Sequence, residues 1–228
     1  MWWRKAADQG SAQAKDMLES HQELWLRVAP DKVEEAKAWR NAAMKGDVIG
    51  QFNLGHCYDK GEGVAKDHLE GFKWYRKAAE QGHIEAQYRV GLCYRKGEGV
   101  PQDLTEAVKW YRMAAEQGLA EAQHDLGSCY DKGTGVQENA VEAVKWWRKA
   151  AHQGSAKAQA MMGLCYGIGY GVTKNEVEAY AYYSLAGIAD IRKTRDNLEK
   201  TMSAENVLRG QQRTKELQKE IQAMAAAK

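Results

Sequence analysis

A pattern of 36 residues recurs along this chain in register, with no insertion or deletion between copies. The copy at 83–118 reads HIEAQYRVGLCYRKGEGVPQDLTEAVKWYRMAAEQG. Its closing pair, Ala114–Ala115, has counterparts at 6–7, 42–43, 78–79 and 150–151. Its Gly97 and Gly99 return at 61 and 63, at 133 and 135, and at 169 and 171. A period of this size means a stacked array of one supersecondary unit, so the chain has few other folds open to it.

Within the copy, Ala86, Val90, Gly91 and Tyr94 fall at three- and four-residue steps and share one helical face. The helix should end at Lys96–Gly97, because glycine accepts the left-handed backbone of a C-cap without steric cost. Pro101 suits the connection. Asp103 is a good N-cap for a second helix, and Glu106 three residues on predicts a capping box. That second helix carries Ala107, Trp110, Tyr111, Ala114 and Ala115 on one face and closes at Gly118. Each unit is therefore a two-helix hairpin. Neither helix can bury its apolar stripe alone, and the neighbouring copy supplies the rest of the core.

Comparing copies separates packing from surface. Gly55, Gly91, Gly127 and Gly163 stand where a side chain would hold two helices apart. Tyr58, Tyr94, Tyr130 and Tyr166 recur, as do Trp74, Trp110 and Trp146, and at helical spacing these aromatics read as core rather than as a ligand cage. Gln51, Gln87, Gln123 and Gln159 are expected to bond a neighbouring turn. Taken together, the pattern A-x-x-x-L/V-G-x-x-Y-x-x-G-x-G-V followed by D/N-x-x-E-A-x-x-W-x-x-x-A-A-x-x-G resembles the Sel-one-like repeat family. The resemblance covers most of residues 1–190. It implies an all-α fold: tetratricopeptide-like hairpins forming a right-handed α/α superhelical solenoid. It also implies a mostly non-enzymatic role, as an adaptor that binds other proteins.

In order, residues 1–10 are the second helix of a partial first unit and 11–46 form a degenerate one. There Leu24-Trp25-Leu26 replaces the glycine turn, and a longer first helix should run to about Val28, with Pro30 and Asp31 starting the next. Trp25 is either a capping aromatic or an exposed contact. Opening inside a repeat leads to the expectation that upstream residues have been removed. Units 47–82, 83–118 and 119–154 are regular; 155–190 is a variant, with Tyr182 in the tryptophan position and Asp190 in that of the closing glycine. Residues 191–228 resemble the C-terminal extension of bacterial family members. A charged helix over Ile191–Met202 precedes a final helix capped by Ser203, with Val207, Leu217, Ile221 and Met224 at roughly heptad spacing. This segment is expected to cover the end of the stack; a self-association or partner-binding helix is the rival.

Of the 228 residues 44% are hydrophobic, enough for a sizeable core, and the net charge of +2 is mixed throughout. That balance argues against nucleic acid as a partner, and no apolar run approaches a membrane span. Cys57, Cys93, Cys129 and Cys165 occupy one position per copy. Helices stacked about 10 Å apart exceed the roughly 7 Å between Cα atoms that a disulfide tolerates, so buried free thiols are expected. The cysteine-rich relatives carry two cysteines per repeat, a pairing absent here.

No catalytic set is visible. The glycine turns lack the Gly-Lys-Ser/Thr of a phosphate loop, and the six histidines form no metal-ligand spacing. His56 and His124 sit singly. Neither Ser-x-x-Lys nor Gly-x-Ser-x-Gly occurs, which matters because some cysteine-rich relatives bind or hydrolyse β-lactams. Glu70, Glu106, Glu142 and Glu178 repeat with the scaffold and sit at helix starts. No cofactor or metal is expected.

Copies differ on the outward face of each first helix, which is expected to line the concave wall as in tetratricopeptide arrays. The residues are Ile49, Phe52, Asn53, His56 and Asp59; Glu85, Tyr88, Arg89, Leu92 and Arg95; Glu121, His124, Asp125, Ser128 and Asp131; and Lys157, Ala160, Met161 and Leu164. Drift on a solvated face would also diverge, but apolar Phe52, Tyr88, Leu92 and Leu164 favour a groove for a partner's peptide or helix. The chain thus reads as a protein-interaction scaffold, monomeric by preference. The alternatives are an enzyme or small-molecule binder acting on cell-wall or β-lactam-type ligands, and structural self-association through the C-terminal helix.

Overall fold

A computed structural model describes residues 30–226. The expectations for residues 1–29, the longer first helix and Trp25 among them, lie outside these residues. Eleven α-helices and no strand occur among the described residues: α1 (Pro30–Met44), α2 (Val48–Lys60), α3 (His68–Glu80), α4 (Ile84–Lys96), α5 (Leu104–Glu116), α6 (Ala120–Lys132), α7 (Ala140–His152), α8 (Ala156–Ile168), α9 (Glu176–Ala186), α10 (Ala189–Glu199) and α11 (Ala204–Ala226). They fall into two compact units, one ending at Gln102 and the other beginning at Asp103. In the first, α2 packs on α1 and α3, and α3 on α4. In the second, helices from α5 to α9 each pack on the next, and α9 also receives α10 and α11. Helix against next helix, without a sheet, is the packing of an all-α solenoid.

Local chemistry sets the helix ends. The side chains of Asp67, Asp103, Asn139 and Asn175 each accept from two backbone N–H groups in the first turn of the following helix. Gly61, Gly97, Gly133 and Gly169 close the first helices in the left-handed region, where other residues are strained. The expected capping box takes another form. Glu70, Glu106 and Glu142 sit near the positive helix start but pair with Lys73, Lys109 and Lys145 one turn further on.

The second glycine of each turn does different work. A Cβ on Gly99 would overlap the carbonyl oxygen of His68, and one on Gly63 that of Lys32. In the other unit Gly135 meets Leu104, and Gly171 meets Ala140, in the same way. Each turn therefore rests directly on the backbone at the start of the preceding second helix. Inside the hairpins, a Cβ on Gly55 would lie 2.8 Å from Tyr75, and one on Gly127 2.6 Å from Trp147. These are the helix contacts that the recurring glycines predict.

The aromatic core agrees with the expectation at Tyr111, Tyr130 and Trp146, which are buried, and departs from it at the first two tryptophans. Tyr75, Tyr111 and Trp147 are almost wholly buried, whereas Trp74 and Trp110 are only half-buried. The tryptophan edges carry lysines: Lys77 lies 4.1 Å over Trp74, and Lys149 the same distance over Trp146. Tyr58, Tyr94 and Tyr166 are half-buried too, and the hydroxyls of Tyr58, Tyr130 and Tyr166 accept from Arg40, Arg112 and Arg148 of the preceding second helix. One helical residue turns the side chain by about 100°, which moves it from the centre of the layer to its rim.

The glutamines bond as expected. Gln87, Gln123 and Gln159 are buried and donate to the carbonyls of Ala79, Ala115 and Ala151 at the end of the preceding helix. Gln51 and Gln123 in turn accept from Gln81 and Gln153 at the end of the following helix. All four cysteines are free and buried.

At the C-terminal end α9 stops at Gly187, and α10 has no buried residue. Helix α11 begins at Ser203, whose Oγ accepts from the Asn206 N–H. Gly210 admits the ring of Tyr180, Leu217 is fully buried, and Asn206 and Arg213 bond Glu176 and Glu178 of α9.

Two outcomes follow from this packing. Gly99→Ala should lower the urea unfolding free energy by roughly 2–4 kcal/mol, since left-handed strain adds to overlap with His68. Gly82→Ala, equally left-handed at φ 91° but facing open space, should cost only about 1 kcal/mol; equal losses would remove the backbone-contact argument. Burial pushes the Cys93 thiol up to about 12 and that of Cys165 to about 11. At pH 8 the native thiols of Cys93 and Cys165 should therefore alkylate with iodoacetamide about a hundredfold slower than in urea, or slower still. The unfolded chain ionises its thiols first, so stability should fall as pH rises from the ordinary 9.0 towards about 12.

Candidate functional site

The outward residues of the first helices fall in both units. In the first unit Ile49 is 58% exposed, and Glu85 and Arg95 are also exposed. Phe52, Asn53, His56, Asp59, Tyr88, Arg89 and Leu92 are half-buried. Some of these are fixed by neighbours. Phe52 stacks on the His83 ring with centroids 4.5 Å apart, and His83 itself caps α4 by accepting from the Ala86 N–H. His56 Nδ1 lies 3.5 Å from the Tyr75 hydroxyl, and the Arg95 carbonyl accepts from Gln102. The arrangement offers an aromatic and aliphatic strip bounded by charges of both signs.

In the second unit Glu121 and Lys157 are exposed, Leu164 is 42% exposed, and His124, Asp125, Ser128, Asp131, Ala160 and Met161 are half-buried. His124 Nδ1 stands 3.1 Å from Asp125, while its carbonyl accepts from Ser128 Oγ and from the Trp147 indole. Here the face is more polar, with its apolar part at Met161 and Leu164. The Tyr170 hydroxyl, bonded to Asp131, has its pKa pushed up to about 12 by that carboxylate. None of the outward residues is sealed in the core, in contrast to Ala86, Val90, Ala122, Leu126 and Met162 on the same helices.

The first unit also brings together three residues that sequence reading did not connect: Asp59 at the end of α2, His68 at the start of α3 and Glu98 in the turn after α4. Burial raises the Asp59 carboxyl, but Lys60 and His68 together hold it below the ordinary carboxylate value. The signal was present, since neither following copy has this combination, but only the packed turn shows that the three meet. A separate open cleft of about 560 Å³ lies among α1, α2 and α3, lined by Arg40, Gln51, Tyr58, Trp74 and Lys77. No helix among the described residues is long and apolar enough to cross a membrane.

Comparison with known proteins agrees with this geometry. The Sel1 repeat family model matches residues 1–11, 48–83, 84–119, 120–155 and 156–190. A Sel1 repeat protein from Oxalobacter formigenes is 34% identical, with a TM-score of 0.72 over 84% of this chain and 82% of that one. A protective antigen of uropathogenic Escherichia coli displaying the same repeat fold is 25% identical, with a TM-score of 0.51 over 99% of this chain and 65% of its own. Among curated proteins none matches. Sel1 repeats build scaffold folds that are generally non-catalytic and often mediate protein interactions. With repeats matched over well over half its length, the chain belongs to the Sel1 repeat family.

Proposed function

We propose that the chain is a non-enzymatic adaptor that holds an extended peptide or a helix of a protein partner on the outward face of its first helices. The observation that carries this is the contrast within single helices. In α4, Ala86, Gln87, Val90 and Gly91 are buried, while Tyr88, Arg89 and Leu92, one or two residues away, keep contact with solvent. Packing positions are alike from copy to copy, and the accessible ones are not. Tyr88 and Leu92 would supply apolar anchors, and Glu85, Arg89 and Arg95 would set orientation by charge. In the second unit Leu164 and Met161 would play the anchoring part.

The final helix fits a capping role under the same reading. Its inner side, at Gly210 and Leu217, is used against the last hairpin, and its Arg213 is held between Glu178 and Glu220. A helix so engaged closes the open end that every stacked array must cover.

In cross-linked pull-downs from the source cells, Tyr88→Ala with Leu92→Ala should reduce recovery of the bound partner by about tenfold, the effect of losing some 1.4 kcal/mol. Helicity should not change. Leu69→Ala, at a 51% exposed leucine on a second helix, should leave recovery intact. Undiminished capture by the Tyr88–Leu92 double variant would exclude this face as the docking surface.

A further inference from the structure

We infer that Asp59, His68 and Glu98 form a binding site for a divalent transition cation of the zinc type. The three donor atoms lie within 4.8 Å of one another, and His68 Nδ1 is 3.0 Å from Asp59 Oδ1. Donors about 2.1 Å from a tetrahedral zinc ion stand roughly 3.4 Å apart. The Asp59–His68 edge already has nearly that length, and Glu98 needs an inward movement on the order of 1 Å. One imidazole with two carboxylates suits zinc and its transition-metal neighbours better than magnesium or calcium, which prefer oxygen alone.

The fold explains why these residues meet. Gly99 has no side chain, so its turn rests on the His68 carbonyl, and Glu98 is carried to the start of α3 with it. Asp59 reaches the same point from the last turn of α2. The side chains remain accessible, at 17% for Asp59, 30% for His68 and 38% for Glu98, which leaves an entry path for an ion and room for a water ligand. Lys60 lies 3.3 Å from Asp59 and Lys96 3.6 Å from Glu98; both are half-exposed and free to swing aside.

The other copies carry other residues at these three positions. One repeat earlier the histidine position holds Lys32, whose ammonium lies 3.4 Å from Glu62. One repeat later the three positions read Arg95, Leu104 and Thr134, and two repeats later Asp131, Ala140 and Tyr170. Among the described residues, only the Asp59–His68–Glu98 corner sets two carboxylates around an imidazole, the donor set that a bound cation completes. A bound ion would pin the turn after α4 to the α2–α3 hairpin. Asp59 is shared with the docking face, but His68 and Glu98, the two positions that the test substitutes, lie outside it.

Calorimetric titration of the full chain with ZnCl₂ tests it. Expected is one equivalent of zinc, removed by EDTA, with a thermal midpoint that rises on loading. Glu98→Gln and His68→Leu should each weaken binding by about tenfold or more and abolish the midpoint shift. Leucine stands at the corresponding place of the next copy, and an exposed turn accepts the isosteric amide, so both variants should retain native helicity. Zinc affinity unchanged in both variants would place the ion elsewhere, at a thiol for instance, and overturn the assignment. No binding by the native chain at millimolar ZnCl₂ would overturn it as well.

Discussion

The contact on which the rest of this structure depends is backbone against backbone: the second glycine of each turn lying on a carbonyl in the first turn of the preceding second helix. Side-chain contacts between stacked helices adjust to substitution by changing rotamer or by small shifts. A turn seated on a carbonyl cannot, because any Cβ would occupy the space of the oxygen. Hairpin spacing is therefore set by main-chain geometry. Side chains then fill a gap of fixed width, which accounts for the recurrence of glycine and alanine against large rings.

Given that spacing, the polar interior follows. A buried glutamine between two helix ends is tolerable only if its amide is matched. Gln123 meets the condition by donating to Ala115 and accepting from Gln153. Three successive helix termini are held by one side chain. The arginine–tyrosine pairs repeat the arrangement at the rim, where solvent screens them and they contribute less.

Much of this was legible in the residues. The turn glycines, the Asp and Asn caps and the buried glutamines each recur, and recurrence in one chain distinguishes packing from surface. The exchange of Trp74 for Tyr75 as the innermost ring was not legible, because both positions recur and adjacent residues differ by only about 100° around the helix. Gly210 against Tyr180 was hidden for the opposite reason: α11 has no second copy to compare. His68 lies nine residues from Asp59 and thirty from Glu98, and only the seating of Gly99 reveals that the three share a corner. The docking face was read from divergence between copies, which needs no structure to see.

The glutamine bonds also give the array a direction. Gln87, Gln123 and Gln159 all hand their hydrogens to carbonyls earlier in the chain, and Gln81 and Gln153 do likewise. Such a ladder is vectorial: every rung presents an acceptor on one side and a donor on the other. Whole repeats could be duplicated or deleted and the remaining rungs would still match. A hairpin entering in the reverse sense would lose these matches, so such an array lengthens or shortens by whole modules more readily than it inverts one.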